Sequence, residues 1–272
     1  MDGLLAGKVA VITGAGSGVG RAAVRLWTEH GAKIIAADID LASAEESVRL
    51  AGAPQGQAKA VACNVADRAQ VDAAVAAAVE TFGRLDILYN NAGITVSSRP
   101  GGAGLRPLTE LPEDEMRRVE DVNINGVVYG CQAAIRQFQK QGGDGQGGGG
   151  AIVNTASVAG LIGYGGVLYG MTKAAVTGMT RTLAIEVASE GIRINSVCPA
   201  GMLTNYGDLS PDSPHKDRIL ESMGKMHPLG SAIDPADTAG AAMFLASDLA
   251  SNITGVNLPV DGGLSAGRKV GG

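Results

Sequence analysis

The side chains best suited to chemistry in this sequence are a phenol and an ammonium group four residues apart. Tyr169-Gly170-Met171-Thr172-Lys173 is the only Y-x-x-x-K in the chain. On a helix, residues at that spacing share a face, so the ammonium lies beside the phenol. A phenol with an ordinary pKa of about 10 is a poor base at neutral pH unless its anion is stabilised. One cation about 4 Å away contributes on the order of 4 kcal/mol at an effective dielectric near 20, which moves the ionisation by roughly three pH units. The pair therefore reads as a proton donor and acceptor brought into working range.

A second set of residues suits an anion. Thr13-Gly14-Ala15-Gly16-Ser17-Gly18-Val19-Gly20 stands between an apolar run and a helical pattern. Glycine is required where a strand turns sharply into a helix and backbone N–H groups approach a pyrophosphate, whose charge the helix N-terminus stabilises. The run does not match G-x-G-x-x-G, because Val19 or Arg21 falls where the third glycine would be. Its spacing is T-G-x-x-x-G-x-G. Asp38 closes the next strand about 20 residues on, where an acid accepts hydrogen bonds from the adenosine ribose hydroxyls and repels a 2′-phosphate. No Arg or Lys sits in the glycine turn or just after Asp38, so nothing there offers a phosphate the fork that NADP needs. The cofactor expected is NAD(H). The blander reading, in which Asp38 caps the following turn, is the minor alternative.

These motifs, with Asn90-Asn91-Ala92-Gly93 and with Ser157 ahead of Tyr169 and Lys173, together resemble the short-chain dehydrogenase/reductase family from Lys8 to Gly263. The resemblance implies a Rossmann-like, doubly wound α/β fold with a seven-stranded parallel sheet. It also implies hydride transfer between a nicotinamide and an alcohol or carbonyl. By that similarity Tyr169 is the general acid/base, Lys173 holds the nicotinamide ribose and lowers the Tyr pKa, Ser157 positions the substrate oxygen, and Asn123 supports a proton-relay water. Cofactor contacts are implied at Gly14, Ser17, Gly18, Val19 and Gly20 in the turn, and at Asp38 and Ile39 after the second strand. Asn64 and Val65 resemble the adenine contact, followed by Asn91, Ala92 and Gly93. Pro199, Gly201 and Met202 come later, with Thr204 as the carboxamide contact, and Asp261-Gly262-Gly263 resembles the closing motif. The chain departs from the pattern in three places. Asn64 replaces an expected Asp, although its amide oxygen still accepts from an adenine amino group. Ala200 replaces a Gly, and Ser157 stands one position closer to Tyr169 than is usual. Thr155 is the fallback hydroxyl, expected on the other side of the strand exit, and Tyr164 lines the pocket without being able to replace the dyad.

The elements that must position these groups follow a βαβ rhythm. Strands are expected at Lys8 to Thr13, Lys33 to Asp38, Lys59 to Asn64, Asp86 to Asn90, Ala151 to Ala156, Ile192 to Cys198 and Val256 to Val260. Helices are expected at Gly18 to His30, Leu41 to Ala51, Arg68 to Phe82, Glu113 to Gln141, Val167 to Glu190 and Pro235 to Ser247. The last has a start signal in Asp234, Pro235 and Asp237. One domain is expected over residues 1–272. The glycine run Gly142 to Gly150 reads as a flexible connection. An insertion from Ser97 to Leu108, with Arg99 and Arg106, is placed at the border of the active site. The stretch 199–230 reads as a structureless substrate-binding loop whose Met and Leu residues are either core or oligomer contacts or, facing substrate, suit a bulky, lipophilic molecule.

Composition excludes other classes. The chain has 272 residues, a formal charge of −5, 41 glycines and 3% aromatic residues, with basic residues scattered rather than clustered. That leaves no electrostatic footprint for nucleic acid or an anionic membrane. Cys63, Cys131 and Cys198 read as reduced, buried thiols of a cytoplasmic protein, and the isolated His30, His215 and His227 form no metal site. No targeting or membrane-spanning segment is expected. Small and apolar residues on several faces of the two longest helices, together with the resemblance, imply a homotetramer or at least a dimer. The expected function is NAD-dependent oxidation of a secondary alcohol or reduction of a ketone. The alternatives are a 3-oxoacyl thioester reductase and, from another class, a non-catalytic NAD-binding module.

Overall fold

The computed structural model describes residues 3–96, 106–142, 149–204 and 212–267. Seven strands form one parallel sheet: β1 Val9–Thr13, β2 Lys33–Asp38, β3 Ala58–Ala62, β4 Ile87–Asn90, β5 Gly150–Thr155, β6 Ile192–Pro199 and β7 Asn257–Val260. Their order is β3-β2-β1-β4-β5-β6-β7, a Rossmann-like doubly wound arrangement. Register is fixed by runs such as Val9 to Thr13 against Lys33 to Ala37 and Ala10 to Ile12 against Ile87 to Tyr89. Strands of a parallel sheet are covered on both faces, which is why they read as continuous apolar runs.

Helices supply those covers: α1 Gly18–Glu29, α2 Leu41–Leu50, α3 Arg68–Phe82, α4 Glu113–Glu120, α5 Gly126–Gln141, α6 Val167–Glu186, α7 Lys216–Met226 and α8 Pro235–Ala246. Val11, Ile35, Leu88, Ile152 and Ile194 point to a core shared with α3, α5 and α6. Their neighbours Ile12, Ile34, Ala36, Tyr89 and Val153 point to the opposite core with α1 and α8. There Trp27 stacks on Tyr89 at 5.3 Å, and its Nε1 donates to Ala239 O at 3.1 Å, joining α1, β4 and α8.

Three expectations need correction. The stretch 199–230 is not structureless, because residues 216–226 form α7. Ile219, Leu220 and Met223 fall on one face, Asp217 lies in the first turn, and Lys225 pairs with Glu221 at 2.6 Å across one turn. The helix expected from Glu113 to Gln141 is split by a π-helical turn at Asp121–Asn125 between α4 and α5. The helix expected to reach Glu190 ends at Glu186 and is followed by a 3₁₀ turn at Ala188–Glu190. Residues 97–105 of the insertion, 143–148 of the glycine run and 205–211 of the long loop lie outside the described residues.

Candidate active site

Strand order reverses between β1 and β4, and in open α/β sheets ligands bind outside the carboxyl ends of the strands at such a point. A cleft of about 1320 Å³ opens there. It is walled by the glycine turn after β1, the ends of β2, β3, β4 and β5, α4, the start of α6 and the segment after β6.

The glycine turn is shaped by contacts that a side chain would destroy. A Cβ on Gly20 would lie 2.0 Å from Gly14 O, and one on Gly14, at φ +64°, would lie 2.8 Å from Ala92 Cα. Thr13 Oγ1 accepts from the N–H groups of Asn91 at 3.0 Å and Ala92 at 3.1 Å, while Asn91 Nδ2 donates to Thr13 O at 3.0 Å and Gly14 O at 3.2 Å. Asn91 thus bolts the turn to the end of β4. Asp40, Asp67 and Asp234 cap α2, α3 and α8 with their side chains, but Ser17 makes no such bond at the start of α1. The amides of that first turn therefore face the cleft without a capping oxygen. This start, with Gly18 and Thr204 meeting across the cleft, fits a dinucleotide pyrophosphate.

Asp38 lines the cleft and also does what the blander reading expected. Its Oδ2 accepts from Gly16 N–H at 2.8 Å and its Oδ1 from Asp40 N–H at 3.0 Å. Each oxygen keeps capacity for a further hydrogen bond, as a ribose diol requires. Ile39 is 72% exposed at the cleft edge. Asn64 and Val65 lie on the same wall, with Asn64 Oδ1 accepting from Ala66 N–H at 3.1 Å. Cys63 is buried beneath them, and desolvation pushes its thiol up to about 11. Sequence reasoning missed Arg21. It lies one residue beyond the turn, yet its guanidinium folds back to donate to Gly16 O and to Ser47 Oγ. The signal was the helical spacing of Arg21 over the turn, which reading the turn alone left out.

Tyr169 and Lys173 lie on one face of α6 and both reach the cleft, with Lys173 Nζ 5.7 Å from the centre of the Tyr169 ring. Lys173 is 2% exposed and donates to Thr155 O at 2.8 Å, its one acceptor among the described residues. Desolvation lowers its ammonium from 10.5 to about 8, opposed by the nearby Cys198. Gly93 sits beneath the pair, and a Cβ there would come within 3.3 Å of Lys173 Nζ. Tyr89 is a poor rival, since burial pushes its phenol well above the ordinary value.

Ser157 Oγ donates to Pro199 O at 3.2 Å and accepts from Ala159 N–H at 3.1 Å, next to the same cleft. Thr155 lines the same cleft, with its hydroxyl donating to Tyr89 Oη at 3.1 Å. Asn123 lies in the π-helical turn and is fully buried. Its Oδ1 accepts from Ile94 N–H at 2.9 Å, and its Nδ2 donates to Ile94 O at 2.8 Å and Thr172 Oγ1 at 3.1 Å. Both amide hydrogens are therefore committed to protein. On the opposite wall stand Pro199, Gly201, Met202 and Thr204, with Tyr164 beside Gly201. Among the described residues no group of three or more His, Cys, Asp or Glu could hold a metal, and no helix is long and apolar enough to cross a membrane.

The chain matches the family model described as Enoyl-(Acyl carrier protein) reductase over residues 14–265. It is 38% identical to 3beta-hydroxysteroid dehydrogenase 2 of Eggerthella lenta over 97% of this chain and 96% of that one. It is 39% identical to meso-2,3-butanediol dehydrogenase of Serratia marcescens over 95% of each. Among solved structures it is similar to 3-ketoacyl-(acyl-carrier-protein) reductase from Brucella melitensis complexed with NADH. The TM-score is 0.82 at 36% identity, covering 96% of this chain and 99% of that one.

Proposed function

The chain belongs to the short-chain dehydrogenase/reductase family, and from that premise we propose that it moves a hydride between NAD(H) and a secondary alcohol or its ketone, with Tyr169 as general acid/base. The observation that carries this reading is one cleft that holds the Tyr169–Lys173 face of α6 together with the uncapped start of α1 and the Asp38 carboxylate.

The dinucleotide, when bound, supplies the hydride donor or acceptor. The protein's own groups hold it and handle the proton. Gly14, Ser17, Gly18, Val19 and Gly20 present amides to the pyrophosphate, and Asp38 accepts from the adenosine ribose and repels a 2′-phosphate. Ile39, Asn64 and Val65 flank the adenine, while Asn91, Ala92 and Gly93 form the floor. Pro199, Gly201, Met202 and Thr204 receive the nicotinamide. Lys173 has two ammonium hydrogens to spare for the nicotinamide ribose, and its charge favours the Tyr169 phenolate. In reduction the Tyr169 hydroxyl gives its proton to the substrate oxygen as the carbonyl carbon becomes tetrahedral. In oxidation the phenolate takes the proton back from the alcohol. The Ser157 hydroxyl, which points at Pro199 O in this structure, rotates to donate to the same oxygen. The Asn123 side chain is committed to Ile94 and Thr172, so its support of a proton-relay water falls to its backbone.

Ile94, Val96, Tyr164 and Met202 on the cleft walls support a bulky, lipophilic ketone, as does likeness to an enzyme named for a steroid. Exposed Val167, Met171 and Ile185 on α6 support a face covered by further copies in a homotetramer. The three buried cysteines fit a reducing cytoplasm. A second reading, a 3-oxoacyl thioester reductase, is favoured by the similarity to the Brucella melitensis enzyme. Initial rates with NADH and NADPH over aryl, alicyclic and steroidal ketones and one 3-oxoacyl thioester separate the two. Turnover of a bulky ketone with NADH well above NADPH is expected. Preference for NADPH and the thioester would replace the first reading by the second.

A further inference from the structure

A closed circuit of hydrogen bonds surrounds the corner of the cleft where β2 ends. Gly16 N–H donates to Asp38 Oδ2 at 2.8 Å, and Asp40 N–H to Asp38 Oδ1 at 3.0 Å. The Asp40 carboxylate accepts from the Ser43 hydroxyl at 2.7 Å, and the Ser47 hydroxyl donates to Ser43 O at 3.0 Å. Arg21 completes the circuit from Nε to Ser47 Oγ at 3.0 Å and from Nη2 to Gly16 O. The corner is tight, since a Cβ on Gly16 would lie 2.8 Å from Ser43 Cβ and 2.9 Å from Asp38 Oδ2.

Arg21 stands at the point of the circuit with most leverage. Its bond to Gly16 O fixes the peptide plane after Gly16, while the Asp38 bond fixes the plane before it. Its bond to the fully buried Ser47 ties the glycine turn to α2. A guanidinium left free at this corner would be a good phosphate ligand. Held by Gly16 and Ser47, two of its five N–H donors, on Nε and Nη2, are directed at protein instead, which fixes the plane of the guanidinium.

We propose that Arg21 is a specificity-determining positioning residue. Through Gly16 it holds the Asp38 carboxylate in the attitude that accepts a ribose diol, and through Ser47 it is itself withheld from a 2′-phosphate. The inference rests on the reading of this cleft as an NAD(H) site.

Equilibrium titration of NADH and NADPH by calorimetry on wild type, R21M, R21K and S47A tests it, with melting temperatures measured alongside. R21M is expected to weaken NADH about tenfold and NADPH much less, because a hydrogen bond from a charged donor is lost next to the selecting carboxylate. R21K, which keeps a charged donor group but not the fork that reaches Gly16 and Ser47 together, recovers part of the selectivity. S47A, which frees the guanidinium from α2, is expected to strengthen NADPH binding several-fold. Equal weakening of both cofactors by R21M would make Arg21 a brace and nothing more, and no change in either would remove it from the corner's function; each overturns the proposal. Should R21M not fold, R21K and S47A decide by the same ratio. A wild type that binds NADPH as tightly as NADH overturns the reading of Asp38 itself, whatever the variants do.

Discussion

The two walls of the cleft are built on different principles. The wall formed by β1, β2 and β4 is held by directional bonds to backbone: Thr13 to the amides of Asn91 and Ala92, Asn91 to two carbonyls of the glycine turn, and Asp38 to two amides. The wall formed after β6 is held by apolar contact, in which Val158, Ala200 and Ile233 pack with Tyr164, Met202 and Leu264. Its directional ties are fewer: an isolated parallel bridge between Met202 and Ile233, Ala200 N–H to Val260 O at 3.2 Å and Ser157 Oγ to Pro199 O at 3.2 Å. Directional bonds tolerate little change in shape, which suits a cofactor that never varies. Apolar packing is non-directional and tolerates substitution of similar volume. On the reading proposed above, the first wall serves the constant partner alone, while the second, which also receives the nicotinamide, faces the variable one.

Three measurements would break or sharpen this contrast. The largest effect belongs to the group between the walls. Y169F is expected to lower kcat about a thousandfold while the Kd for NADH stays within about threefold of wild type. A comparable loss in Kd would mean that the phenol belongs to the cofactor wall. Next is Lys173, whose ammonium titrates at about 8 in the folded chain against an ordinary 10.5. Between those values the unfolded chain holds a proton that the folded chain has released, so protonation favours unfolding. Stability of the ligand-free wild type relative to K173M should therefore rise with pH across that window, by up to on the order of 3 kcal/mol. Urea titrations at its two ends would show it, and a flat difference would contradict so strong a desolvation. The smallest effect is expected on the apolar wall. M202A should change KM by roughly two- to tenfold, differently for each ketone, and NADH affinity by less, since Met202 is read as touching both nicotinamide and substrate. A uniform change for every substrate, with a larger loss of NADH affinity, would place Met202 wholly on the cofactor side.

The sequence was legible where a residue type has one physical use. β2 and α3 fall where apolar periodicity put them, Asp234 caps α8 in a full capping box with Asp237, and Tyr169 and Lys173 share a face and a cleft. It was illegible where an ordinary residue is turned to use by tertiary context. The π-helical turn at Asp121–Asn125 leaves no mark in the helical pattern of the segment around it. Only the bonds from Asn123 to Ile94 and Thr172 reveal its purpose. α7 was hidden because its polar face and its position inside a long irregular stretch outweighed the short apolar stripe of Ile219, Leu220 and Met223. In the sequence Arg21 only marks where G-x-G-x-x-G fails; the fold turns its guanidinium back onto the glycine turn.

The place of β1 between β2 and β4 sets an order on assembly as well as on binding. Its five residues are buried, yet one of its two neighbours in the sheet is not made until residues 87–90. A nascent chain that has emerged only through β3 presents Val9 to Ile12 as an unpaired apolar edge, the kind of strand that recruits other chains. Docking of β4 closes that edge and seats Asn91 on the glycine turn in the same step. The event that protects the growing chain from aggregation is thus also the one that finishes its phosphate-binding corner.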